Sequence, residues 1–422
     1  MSQPFKFQNS TKPKLQLEKY AFNVYCFSTF FVVIFSVQAI SFWPPLVEKI
    51  SIVLACLLPL GMVVFSRASN WIKTRTIPKE FVWLSIVFLL GVLSSILSED
   101  MWGSIKAIVL FMLSGPLVFF VTRYLFESSK NQNIFLWIAS LTMLILVLFG
   151  FYQHFTSGIV YIFSRNPLPA GALLILLSAA PLVLLSQKPF LPVRFFLGFI
   201  LLLCFVLIVY MGKKSHILAY TTLLIFLAAF IFRKQVKLIL IVAFLAAFGL
   251  FFSSTSISGY KNLDGFEESV SLRAENYFFG FHVFTANPFF GVGPNANFDP
   301  YFENYELKFP NHFSKKYFSR YIKTENTFEN IFVAFLVWFG GLFSIVYFGG
   351  VFYILIFYLK NGPPFLMHNS GLFVVSVVVA FIAMSFTFDT LRFPNLNWMF
   401  HSLLGLVVSF SSFGAEDRSL DS

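Results

Sequence analysis

The sequence predicts an all-α polytopic membrane protein with about twelve transmembrane helices and one large outer-face loop containing short helices. Three observations support that expectation. Across 422 residues the chain is 58% hydrophobic and only 12% charged, a balance that excludes a water-soluble globular domain. Apolar runs of about 17–25 residues recur, and about 20 helical residues cross the hydrocarbon core of a bilayer. Lys and Arg gather in alternate connections between those runs, which is the pattern of a chain threaded repeatedly through a membrane. The 61 Phe residues suit lipid-facing and interfacial surface.

Residues 1–19 carry Lys6, Lys12, Lys14 and Lys19 and are otherwise polar. The apolar run after them is too long for a signal-peptide core and lacks a small-residue cleavage site, so it is expected to remain as the first span. Spans are expected at about 21–43, 49–66, 81–98, 105–125, 134–154, 168–186, 192–211, 216–232, 236–253, 328–359, 370–388 and 393–412. The tenth exceeds one crossing. Gly340-Gly341 is expected to break it into a short helix from about Thr327 to Phe339 and a spanning helix after it. Cys26, Cys56 and Cys204 all lie inside apolar runs and read as small buried thiols, neither a disulfide framework nor a metal site.

Orientation follows from the cations. One side holds the N-terminal lysines, Arg67, Lys73, Arg75, Lys79, Arg123, Lys130, Lys188, Arg194, Arg233, Lys234, Lys237, Lys360 and Arg418. The short connections of the other side hold only Lys49, Lys106, Arg165, Lys213, Lys214 and Arg392. This asymmetry places both termini in the cytoplasm and residues 253–326 outside. The chain then divides into 1–252 (helices one to nine), the outer loop 253–326 and 327–422 (helices ten to twelve), all one integral membrane domain. Cations spread over many short loops also account for the net charge of +11 without a nucleic-acid partner.

The polar interval from Phe252 to Gly341 is where chemistry concentrates. An amphipathic helix is expected over about 266–286, with Val270, Tyr277, Phe278, Phe281 and Phe284 toward the membrane and Glu267, Arg273 and Glu275 toward water. Asn287-Pro288 would end it. Tyr301, Phe302, Tyr305, Phe309, Phe313, Tyr317, Phe318 and Tyr321 crowd the next stretch and read as an interfacial belt or as rings that stack on sugars.

Arg273 reads either as a headgroup anchor or partner of Glu268 or Glu275, or as a guanidinium whose fork matches diphosphate oxygens. Lys213-Lys214 lies in a tight outer turn, where cations run against the positive-inside pattern and are candidates for ligand binding. Lys316, Arg320 and Lys323 have helical spacing and offer a second phosphate-facing stripe or a solvated face. Glu325 and Glu329 are four apart, as are Asn326 and Asn330, so each pair is expected to stack on one helix face. The carboxylates read as a general base tuned by partial desolvation, or as acidic residues in the first turn of a helix begun by Thr324. Gly291-Val-Gly293-Pro-Asn-Ala296 fits a dinucleotide-loop pattern but has no strand before it. The six His residues lack metal-ligand spacing, and neither an Asp-x-Asp pair nor a phosphate-binding P-loop occurs.

Arg273, Tyr277 four residues on, and Asn287-Pro288-Phe-Phe-Gly291-Val-Gly293 resemble one signature of the O-antigen ligase/polymerase superfamily of bacterial membrane glycosyltransferases. Glu329-Asn330, nine residues and Gly340 resemble its second signature, and Lys213-Lys214-Ser215 resembles its upstream Ser-Arg-Gly. Glu329 stands where lipid A-core ligases usually have His, and Lys214 where Arg is typical. These departures fit a polymerase, or a ligase with a carboxylate base.

The resemblance implies transfer of a glycan from undecaprenyl diphosphate to an acceptor sugar hydroxyl, on lipid A-core or a growing glycan. It implies the periplasmic face of the bacterial inner membrane, among membrane lipids, with no metal and no cofactor. Glu329 is then the expected base with Glu325 in reserve, and Arg273, Lys213, Lys214, Lys316 and Arg320 hold the diphosphate. Asn287, Gly291, Gly293, Asn326 and Asn330 bind sugar or shape the loop. The rival reading is a transporter or flippase of lipid-linked glycans, but such proteins place charge at mid-bilayer, where these spans have almost none.

Overall fold

The computed structural model describes residues 11–35, 45–74, 78–158, 160, 167–187, 189–231, 264–308, 322, 327–361 and 369–420. Among them every regular element is helical: α1 (Thr11–Phe35), α2 (Pro45–Thr74), α3 (Lys79–Ile96), α4 (Met101–Ser114), α5 (Pro116–Leu125), α6 (Ser129–Ser157), α7 (Pro167–Leu177), α8 (Ala179–Ser186), α9 (Leu191–Tyr210), α10 (Lys214–Ile231), α11 (Asp264–Ala286), α12 (Asp299–Lys308), α13 (Ile331–Asn361), α14 (Asn369–Ser385) and α15 (Pro394–Leu420), with a short 3₁₀ turn at Thr390–Arg392. Six stretches among the described residues are long and apolar enough to cross a membrane: Lys79–Ile96, Met101–Leu125, Ser129–Ser157, Leu168–Ser186, Leu191–Tyr210 and Ile331–Leu359. The expected span at 236–253 lies outside the described residues.

Two of the six crossings are broken by proline. Pro116 cannot donate to the helix before it, and Gly115 takes φ −137° and ψ −89° at the break between α4 and α5. The freed polar groups are met from α15, where Asn397 Nδ2 donates to Phe111 O at 2.9 Å and to Ser114 Oγ at 2.9 Å. The second break, at Ser178, precedes Pro181.

The core is organised around α15, which packs against α1, α4, α5, α7, α13 and α14. Trp398, Leu403, Leu404, Leu406 and Val407 of α15 are buried. Polar side chains stitch it to α1 and α13: Tyr25 Oη meets Ser402 Oγ at 2.6 Å, Trp398 Nε1 donates to Thr29 Oγ1 at 3.0 Å, and Tyr347 Oη meets His401 Nε2 at 3.1 Å. Such bonds join helices where lipid offers no hydrophobic gradient. Large rings such as Phe27, Phe65 and Phe195 stay exposed on the outside, as a lipid-facing surface requires. Cys26, Cys56 and Cys204 are buried free thiols.

Short connections make neighbouring helices antiparallel. The turns 97–100, 211–213 and 386–393 therefore fall at one end of the bundle, together with α11, α12 and the start of α13. The site is built at that end.

Candidate functional site

The helix break inside α13 comes first, because it explains the glycines. Gly340 adopts φ 80° and ψ 177° within an otherwise continuous helix. That conformation strands backbone groups on both sides of the kink. The segment after α11 supplies their partners: Val292 N donates to Val337 O at 2.8 Å and Gly293 N to Trp338 O at 2.9 Å, while Gly341 N donates to Pro288 O at 2.8 Å. Ser94 Oγ of α3 seals the junction, donating to Phe290 O at 2.5 Å and Trp338 O at 3.0 Å. Gly291 has φ 70°, and a Cβ there would lie 2.5 Å from Val337 O. A Cβ at Gly340 would lie 2.3 Å from Phe289 O. Only glycine permits both the positive φ and this backbone approach. Gly293, with φ 93°, rests against Ser98 and Ser104.

The residues just before α13 form a turn rather than a helix. Asn330 caps α13, its Oδ1 accepting from Phe332 N at 2.9 Å and Val333 N at 3.2 Å. Glu329 has φ 51°, the one positive φ at a non-glycine position among the described residues. This corrects the expectation that Glu329 and Asn330 stand on a helix face. The helix starts at Ile331, so Glu329 and Asn330 lie outside it and Thr324 is not its cap. Glu325, Asn326, Lys316 and Arg320 lie outside the described residues.

Asp389 holds that turn from the 386–393 connection. Its Oδ2 accepts from Thr327 Oγ1 at 2.7 Å and Phe328 N at 3.0 Å, and its Oδ1 accepts from Asn330 N at 2.7 Å. The side chain is 1% exposed. Burial raises its carboxyl pKa above the usual 3.8, opposed by Thr327, by Arg392 and by the two backbone N–H groups.

Arg273 and Glu329, 56 positions apart, meet in an ion pair with Nε 3.1 Å from Oε2. Arg273 therefore turns toward Glu329 rather than toward open water as its place on an amphipathic helix suggests. The reason is the seating of α11 on α13: Gly280 lies against Val333 and Phe328, and Phe279 and Val283 are fully buried. Phe278 and Phe281 remain exposed on the opposite side, as expected of a membrane-facing edge. Tyr277, expected to face lipid, instead donates its hydroxyl to Phe386 O at 2.5 Å and lies 3.5 Å from Glu329 O. Burial keeps its phenol above the usual pKa of 10, so it remains a donor.

The other predicted residues are placed as follows. Asn287 ends α11 and donates from Nδ2 to Tyr301 Oη at 3.2 Å. Lys213 is half-buried in the turn between α9 and α10, at the same end of the bundle. Lys214 begins α10, and its side chain lies outside the described residues. Phe302 and Tyr305 pack on Phe279, with ring centroids 6.2 and 5.6 Å away, and so serve the core instead of an interfacial belt.

Sequence reading missed Asp389, Thr327 and Ser94. The signal for Asp389 was there: a lone carboxylate in a short connection between two apolar runs, beside Arg392.

Residues 196–348 match the family model described as O-antigen ligase. That segment contains Lys213, Lys214, Arg273, the Asn287–Gly293 motif, Glu329 and Gly340. No curated protein matches the chain.

Proposed function

We propose, from the O-antigen ligase match over residues 196–348 and the six helices apolar and long enough to cross a membrane, that this chain is a multi-pass membrane protein of the O-antigen ligase/polymerase superfamily that carries out the following reaction. The protein transfers a glycan from undecaprenyl diphosphate to a sugar hydroxyl on the periplasmic face of the bacterial inner membrane. About twelve spans, cytoplasmic termini and a periplasmic 253–326 loop belong to this proposal, on the strength of the cation asymmetry. The acceptor is lipid A-core in ligation or another repeat unit in polymerisation. Glu329 in place of the usual His fits either a polymerase or a ligase with a carboxylate base.

The observation that carries the reading is the Arg273–Glu329 pair, a guanidinium and a carboxylate joined on a turn held in a left-handed backbone conformation. Residues kept in such conformations cluster at functional sites, because surrounding structure must hold them there. In the resting state Arg273 pairs with the Glu329 side chain. When the donor arrives, its diphosphate shares the guanidinium, whose fork matches phosphate oxygens. Glu329 then takes the proton of the acceptor hydroxyl as that oxygen bonds to the anomeric carbon. The bond from that carbon to the diphosphate oxygen breaks, and the lipid diphosphate leaves with its charge stabilised by Arg273, Lys213 and Lys214. These fixed cations do the charge stabilisation that a metal would otherwise supply. One base and one displacement invert the anomeric configuration.

The test is a banding gel of surface glycolipids from a strain lacking the gene, beside strains complemented with wild type, Glu329→Gln or Arg273→Ala. Cores capped by one repeat, with the ladder gone, identify a polymerase. Bare cores with long chains accumulating on undecaprenyl diphosphate identify a ligase. Wild-type ladders from both variants at normal protein levels would overturn the site.

A further inference from the structure

We propose that Asp389 is a positioning residue: it locks the turn that aims Glu329 at Arg273, an inference that rests on the reading of Glu329 as the base. Glu329 needs such a lock. With φ 51° it occupies a region that side chains other than glycine adopt at a cost, and nothing in its own sequence favours that region. The lock reaches it from both sides. Asp389 binds Thr327 and Phe328 before Glu329 and Asn330 after it, while the N–H of Glu329 itself turns to Thr327 Oγ1 at 3.3 Å. Fixing the residues on either side of Glu329 leaves its backbone little choice.

The same connection also grips the opposite partner. Phe386 O accepts the Tyr277 hydroxyl at 2.5 Å, and Tyr277 lies one helical turn beyond Arg273 on α11. Residues 386–389 thus join the two halves of the ion pair, which come from separate parts of the chain. The connection is itself anchored: Ser385 Oγ and Thr390 Oγ1 are 2.7 Å apart, and Thr387 N donates to Met384 O at 2.8 Å.

The chemistry explains why the residue is an acid. The three groups it meets are all donors, and a carboxylate presents only acceptors. An asparagine at this position keeps the shape but must turn its NH₂ toward at least one N–H or O–H. That repulsion opens the turn without emptying the space.

The experiment uses the full chain in nanodiscs, with an undecaprenyl-diphosphate glycan as donor and a defined sugar acceptor. Asp389→Asn is expected to lower kcat by about 100-fold, the scale of an ångström misplacement of a catalytic group, with the donor KM unchanged. Thr327→Val removes one donor to Asp389 and the acceptor of the Glu329 N–H but spares the two backbone bonds to Asp389, so it should lower kcat less and melt close to wild type. A kcat for Asp389→Asn equal to wild type overturns the proposal. So does a loss in both variants that disappears once rates are normalised to folded protein. Glu329→Gln separates this failure from that of the function: if it keeps the wild-type rate, the base is misassigned. If it is inactive while Asp389→Asn is fully active, only the positioning role falls.

Discussion

The two ends of the helix bundle both carry ion pairs, built in opposite ways. At the end away from the site, Arg67 Nε lies 3.1 Å from Glu18 Oε1 and its Nη2 2.5 Å from Glu127 Oε2, and Arg123 pairs with Glu80. Glu18 and Glu80 stand on regular helices, and Glu127 is 49% exposed. These pairs, part-buried except at Glu127, tie α1, α2, α3 and α5 together. At the site end Glu329 is 16% exposed, sits on a left-handed residue and depends on a buried carboxylate 60 positions later. The first arrangement is tolerant and structural. The second holds charge where the backbone resists it, and that is where function is expected.

The comparison can be broken at four points. Glu329→Gln should reduce glycan transfer by roughly 10²–10⁴-fold, the contribution of a positioned base, while Glu80→Gln leaves the rate within about twofold because its pair lies at the end of the bundle away from the site. Equal effects in a single-turnover transfer assay would erase the distinction. Arg273→Lys should cost about tenfold, on the scale of one charge-assisted hydrogen bond at about 1.5 kcal/mol, and Arg67→Lys almost nothing in the same assay.

Gly291→Ala should destabilise the protein by about 1–3 kcal/mol, since both a positive φ and a backbone clash oppose the Cβ. Thermal melting in detergent would show it, and an unchanged melting temperature would contradict the kink packing. The smallest effect is the most diagnostic. Glu329→Gly should melt at or above wild type despite losing the ion pair, because relief of the left-handed strain is worth about 1–2 kcal/mol. Glu80→Gly, in the first turn of α3, should melt lower by up to about 1 kcal/mol.

Much of this was legible in the sequence for definite reasons. Apolar runs announce helices because lipid cannot satisfy backbone polar groups, so α3, α6 and α9 lie close to their expected bounds. Gly340 was readable as a helix break, and the Asn287–Gly293 motif as a loop with special backbone needs. The inward turn of Tyr277 and Arg273 was not readable, because helical periodicity tells that a face exists and not what covers it. The helical place expected of Glu329 and Asn330 was misjudged because spacing of four carries meaning only inside a helix, and the helix begins after both. Asp389 stood out only as a lone carboxylate between two apolar runs, because no local pattern links it to residues 327–330.

By itself the sequence determined a helical membrane chain, the polar interval that carries its chemistry, and the identity of Arg273 and Glu329 as residues worth testing. Those follow from composition, periodicity and motif, which are local properties. Only the tertiary structure decided that Glu329 stands outside its helix at φ 51° and that Arg273 pairs with it. It also decided that Val337 and Trp338 bond to Val292 and Gly293, and that Asp389 holds the turn. The physical reason is common to all of these. Each is a contact that satisfies a buried polar group or a strained backbone with a partner far along the chain, and only folding brings that partner within hydrogen-bond reach.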